Sequence, residues 1–199
     1  MPEFAARGGT GDTRRKPAGA RRGGFRPPTR PPGQRPPEAL RAWLEDPGSV
    51  TARMRVTCGA EFSLLLVAQH KARPLLAEAR ELKLPPRRFA LIRQVLLCCA
   101  DVPWIFARSV LPFSTLRGRK RRLAYLGSKP LGEVLFALPG LVRHEVSVVP
   151  LCADPAMQEA LIDALGEDPD GAWLRRSVFL LDNDPLLINE VFLSNIPYG

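Results

Sequence analysis

The stretch "FALIRQVLLCCADVPWIFARSVLP", residues 89–112, constrains the fold more than any other part of the chain. It holds two apolar runs of strand length around a short polar break, the pattern of a hairpin whose strands bury both faces. Strand side chains alternate between faces. Phe89, Leu91, Arg93, Val95 and Leu97 therefore share one face, and Ala90, Ile92, Gln94, Leu96 and Cys98 share the other. Arg93 stands among the bulkiest apolar residues. A guanidinium cannot lose its proton in a protein, so burial obliges something to meet its charge. The last apolar run poses the matching problem. In "PLLINEVFLSNI", Leu186, Ile188, Glu190 and Phe192 share a face, placing a carboxylate among large hydrophobes. Three arrangements satisfy both ions: they pair with each other, one of the two faces is solvated, or they flank an apolar cavity suited to a small anionic ring compound.

The rest of the chain supplies the elements around these strands. "EALRAWLED" spaces Leu40, Trp43 and Leu44 as a helix, ended by Pro47 and Gly48. Ser49 is suited to cap a second short helix, "SVTARMRV". Strands are expected at 61–69, 88–99, 103–112 and 141–149, and in a closing hairpin across "DND". "RPLLAEARELKLP" is helical by composition, and "PLGEVLFAL" places Leu131, Val134, Leu135 and Leu138 on one helical face. "DPAMQEALIDALG" is a helix with Asp154 as cap, Pro155 in the first turn and Gly166 as stop. Hairpins without regular strand–helix alternation predict an α+β fold, one antiparallel sheet with flanking helices.

Charge divides the chain. Of the net +9, residues 1–37 carry +7, with eight prolines, seven glycines and almost no large apolar residue. That composition predicts a disordered basic tail ahead of a folded domain at 38–199. The tail is expected to be a solvated extension rather than a nucleic-acid arm. The basic run Arg117–Arg122 is expected to be a solvated helix face or loop. No apolar run reaches the ~18 residues of a membrane span, and no secretory signal follows the double arginines. Cys58, Cys98, Cys99 and Cys152 form no CxxC pair and are expected to be buried, reduced cysteines of a cytoplasmic protein. With two distant histidines, a metal site has little support, and P-loop, GxGxxG and GxSxG motifs are absent.

Four ordered blocks resemble the bacterial chorismate lyase (chorismate–pyruvate lyase) family: "LRAWLEDPGSVTARM", "IRQVLLCCADVPWIFARSVLPFSTL", "LGSKPLGEVLF" and "WLRRSVFLLDNDPLLINEVFLSNIP". The match spans about 40–199. The resemblance implies a site enclosed between the sheet and helical flaps, with covers at about 40–54 and 114–137. It implies a cofactor-independent lyase that removes pyruvate from chorismate, giving 4-hydroxybenzoate for ubiquinone synthesis, with slow product release and a monomeric state. The family's carboxylate-binding arginine falls on Arg93 and its acidic residue on Glu190. Further substrate contacts fall on Leu131 and on Val50, where "SVT" stands for the family's "SMT". Residues 150–172 look like an insertion. Lys129, Arg108, Arg176 and the helix start at Pro130–Leu131 are candidates for the substrate's second carboxylate. The competing reading is a non-catalytic effector domain of a transcription regulator, which shares this fold.

Overall fold

The structure, a computed structural model, describes Thr29, Gly33 and residues 35–196. Six strands form one antiparallel sheet in the order β1-β2-β3-β6-β5-β4. They are β1 (Phe62–Ala72), β2 (Ala90–Cys99), β3 (Val102–Pro112), β4 (Leu141–Pro150), β5 (Trp173–Leu181) and β6 (Asp184–Phe192). Five helices flank the sheet: α1 (Glu38–Leu44), α2 (Val50–Cys58), α3 (Leu76–Glu81), α4 (Leu131–Phe136) and α5 (Pro155–Leu165). This is the α+β arrangement expected.

Both predicted hairpins close through two-residue turns. Ala100 and Asp101 have φ of 49° and 61°, and Asp182 and Asn183 have 51° and 68°. Positive φ at both central positions gives a turn whose twist matches that of paired strands. Asp and Asn tolerate this region better than most residues. β2 and β3 lack polar alternation because both faces are covered: nine of the ten β2 residues are buried.

On the front face, α1 and α2 bring Leu40, Trp43, Leu44 and Met54 onto Val95, Leu97, Ile105 and Phe192. Beside them, Leu131, Leu135 and Leu138 pack with Leu111, Phe179, Leu186 and Ile188. On the rear face, Met157 and Leu161 of α5 pack against Leu96, Phe106, Leu174 and Val191. The expected insertion at 150–172 thus covers the back of the sheet. Its helix starts and stops at the residues anticipated: Asp154 accepts from Met157 N at 3.1 Å, and Gly166 takes the left-handed conformation at φ 81°.

A buried polar row crosses the rear face. Glu78 of α3 accepts from Arg108 Nε at 2.8 Å and from Asn189 Nδ2 at 2.9 Å. Arg176 donates to Asn189 Oδ1 at 2.7 Å and to Asp154 Oδ2 at 2.6 Å. Arg108 and Arg176 are therefore occupied on the face away from Arg93, and neither is available to a ligand beside it.

Three expectations change. Cys58, at the end of α2, is disulfide-bonded to Cys99, at the end of β2, with Cα atoms 5.6 Å apart. Cys152 is exposed, so only Cys98 fits the reading of a buried, reduced cysteine. The cysteines that meet lie 41 residues apart and only the fold brings them together. The basic run is also partly structural. Arg119 bonds Asp182 at 2.8 Å, and Lys120, largely buried, pairs with Asp184. The predicted tail at 1–37 lies largely outside the described residues. Thr29, which is described, forms a parallel bridge with Ser147 on the β4 edge, donating to Val146 O at 2.9 Å.

Two measurements follow from these contacts. Glu78→Ala leaves Arg108 buried without a counter-charge and is expected to lower unfolding free energy by about 3–5 kcal/mol in denaturant titration. Thiol titration of the unfolded, unreduced chain is expected to find two free thiols, Cys98 and Cys152, and four after reduction. In the folded protein Cys152 should react first, because burial, only partly offset by a hydrogen bond with Ser63, pushes the Cys98 thiol up. Four thiols without reductant would remove the disulfide.

Candidate active site

β3 is the floor of the site. Across it, Ser109 stands opposite Arg93 of β2 and Ala107 stands opposite Glu190 of β6. The two ions are thus offset by two strand spacings and by two residues along the strands, a diagonal of roughly 12 Å between Cα atoms. They do not pair with each other.

Arg93 is 1% exposed, and the acceptors that meet it are neutral. Nη1 donates to Gln69 Oε1 at 2.9 Å and Nη2 to Lys129 O at 3.0 Å. Gln69, opposite Arg93 on β1, is oriented in turn by donating to Ala124 O at 2.9 Å. No carboxylate among the described residues forms an ion pair with Arg93. Burial holds its pKa below the usual arginine value, and the group stays charged.

Glu190 has its cation elsewhere. Its Oε2 accepts from Arg175 Nε at 2.6 Å, and Arg175 is fully buried. Arg175 Nη1 donates to Trp43 O and Asp46 O, both at 3.0 Å, which ties Glu190 to the segment joining α1 and α2.

Between the two ions lies a cavity that opens in part to solvent. Its walls are mostly apolar, with Leu64, Val95, Leu97, Ala107, Ile188 and Phe179 among them. Ser109, Arg93 and Glu190 supply the polar side chains of the sheet. Val50 and Leu131, both named from the sequence, line it from above, each at the start of a covering helix. The four predicted site residues therefore meet at one cavity. Lys129 contributes its carbonyl to Arg93, while its side chain points into solvent and is absent from the lining.

The covers meet above the cavity. α2 is capped by Ser49 Oγ, which accepts from Ala52 N at 3.4 Å. A Cβ added at Gly132 of α4 would stand 2.9 Å from that hydroxyl and 3.4 Å from Thr51 Oγ1. Glycine is what lets the two helix starts touch. Arg55 and Glu133 form an ion pair across the same seam.

Sequence reasoning missed Arg175 and Gln69. Arg175 and Arg176 are neighbours on a strand and must face opposite sides. Parity would have put Arg175 with Trp173 and Phe179, on the face of Glu190 once β5 and β6 are registered. Gln69 carried no local signal, because its role depends on the register of β1 against β2.

Comparison with known proteins places the chain in a family. The family model described as "Chorismate lyase" matches residues 31–198. A protein of Aromatoleum aromaticum named "Probable chorismate pyruvate-lyase" is 42% identical over 169 residues, covering 84% of this chain and 91% of its own. One of the same name from Methylococcus capsulatus is 40% identical over 154 residues, covering 77% and 94%. Among solved structures, the effector domain of PhnF from Mycobacterium smegmatis aligns with a TM-score of 0.52 at 17% identity, over 75% of this chain and 90% of that one. That likeness concerns the fold alone.

Gly132→Ala is expected to displace the Ser49 hydroxyl and loosen the seam. Hydrogen exchange should rise across Val50–Cys58 and Leu131–Phe136 while β2 and β3 stay protected. Unchanged exchange in both helices would mean that the seam does not depend on this contact.

Proposed function

The chain belongs to the chorismate lyase family, and we propose that it cleaves chorismate to 4-hydroxybenzoate and pyruvate, supplying the ring for ubiquinone synthesis. One observation carries this reading. Two buried ions of opposite sign face the same apolar cavity without pairing, and the cation is met only by neutral acceptors.

The reaction breaks the ether bond between the ring and the enolpyruvyl arm. The ring loses the hydrogen on its hydroxyl-bearing carbon and becomes aromatic, and the arm gains a proton to become pyruvate. Aromatisation provides the driving force, so what the protein must add is orientation and a fixed electrostatic setting away from water. Arg93 takes the ring carboxylate. Its planar fork makes two parallel hydrogen bonds, and Gln69 and Lys129 O hold the fork in place from behind. Val50 and Leu131 offer backbone N–H groups at helix starts on the same side. Glu190, held by Arg175, stands at the far end. There its carboxylate accepts a hydrogen bond from the ring hydroxyl, or takes up the proton that leaves the hydroxyl-bearing carbon and passes it to the departing arm. Ala107 and Ser109 form the surface on which the ring lies.

The enzyme reading is favoured over a sensing domain because the curated relatives with lyase names reach 42% identity over most of the chain, whereas the effector-domain likeness is one of fold. Chromatography of a chorismate incubation distinguishes them, 4-hydroxybenzoate appearing only for the lyase.

Arg93→Ala is expected to weaken 4-hydroxybenzoate binding by roughly 100-fold or more in isothermal titration, and Arg93→Lys to recover little of it. Unchanged affinity in a folded Arg93→Ala protein would sink the assignment. Glu190→Gln is expected to lower kcat by roughly 10²–10⁴-fold with the circular dichroism spectrum unchanged. Near-normal turnover would restrict Glu190 to holding the ring.

A further inference from the structure

A second group of arginines raises the question that Arg93 raised. Arg175 is fully buried, and Arg143 of β4 is partly so. Both guanidinium groups meet on one carbonyl: Asp46 O accepts from Arg143 Nη1 at 3.1 Å and from Arg175 Nη1 at 3.0 Å. Arg143 Nη2 donates to Gly48 O at 3.2 Å. On β5, Ser177 lies two residues from Arg175 on the same face and is itself fully buried.

Donors outnumber acceptors here. Arg143 Nε, Arg175 Nη2 and Ser177 Oγ are buried without a hydrogen-bond partner, three of the four such side-chain atoms among the described residues. Charge is unbalanced as well. Glu190 answers one guanidinium, while the Asp46 carboxylate is taken by Arg53 at 3.2 Å and Gly48 N at 2.7 Å. Burial, followed by the repulsion of Arg175, lowers the Arg143 pKa to about 10, which leaves it protonated at neutral pH. Buried donors of this kind call for an acceptor that brings negative charge.

The place of the group in the sheet says which acceptor. Ser177 is registered opposite Ile188, and Arg175 opposite Glu190. Ile188 and Glu190 line the cavity, as do Phe179 and Phe136, the rings against which Arg143 lies at 4.9 and 5.6 Å. The donors thus stand on β5 and β4, beside the cavity lining rather than in it, on the Glu190 side and away from Arg93. We propose that Arg143, Arg175 and Ser177 form an anion subsite for the carboxylate of the three-carbon arm, while Arg93 holds the carboxylate of the ring. This rests on the reading of the cavity as a chorismate site. The arm leaves the ring beside the hydroxyl-bearing carbon, so its carboxylate falls at the Glu190 end. Arg108 and Arg176, the side chains that the sequence offered for this second carboxylate, face the other way and are occupied.

Ser177→Ala is the cleanest test, because the hydroxyl has no partner in the fold and its loss should leave the melting temperature unchanged. Ser177→Ala and Arg143→Lys are each expected to raise KM for chorismate roughly tenfold, while Kd for 4-hydroxybenzoate stays within about twofold of wild type. A wild-type KM in both variants would overturn the subsite. So would a loss of 4-hydroxybenzoate affinity in step with KM, which would mean that these residues act through the ring site. Absence of chorismate turnover by the wild-type protein would instead strike the proposed function, and it is seen before any variant is made.

Discussion

A guanidinium keeps its proton wherever the chain puts it, and three that are almost wholly buried organise this structure. Each must be surrounded by acceptors, and each set of acceptors comes from a different part of the sequence. Arg108 draws α3 onto the rear of the sheet through Glu78 and Asn189. Arg175 gathers the carbonyls of the α1–α2 segment over the front and holds Glu190. Arg93 is met by an amide and a carbonyl from β1 and the segment before α4. The first two are matched by carboxylates inside the protein. The third is not, and its charge is left for a ligand to answer, while Arg175, matched at Nε, keeps Nη2 without a partner.

The sheet and the two principal site residues were legible because they depend on local pattern. Period-2 alternation placed Arg93 and Glu190 on bulky faces without knowledge of any partner strand. The α5 cap and stop were equally local. What could not be read depends on contacts across long sequence distances. Whether the two ions pair is decided by β3 lying between β2 and β6, which moves them onto a diagonal. The Cys58–Cys99 link, the service of Gln69 to Arg93, and the tie between Lys120 and the β5–β6 turn are of the same kind. The adjacent Arg175 and Arg176 are separated by the same local rule: as neighbours on a strand they face opposite sides, Arg175 toward Glu190 and Arg176 toward Asn189.

The covers over the cavity are short, and much of their order comes from what they touch. α2 is held at one end by the link to β2 and at the other by its contact with α4. α4 has six residues, too few to be stable alone, and it leans on Leu123, Leu126 and the front of the sheet. A site closed by such pieces can admit a ligand without disturbing the strands that carry its ions.

The same sheet has a consequence for how chains of this type can change length. Its four inner strands are a wall with separate furnishings on each side, and the connection from β4 to β5 is spent wholly on the rear. A lineage can lengthen, shorten or rebuild that connection while the cavity lining stays as it was. What such remodelling must retain is a partner for Arg176, now provided by Asp154 and Asn189. Growth on the front side has no such latitude, because any added bulk there competes with the ligand for the same space.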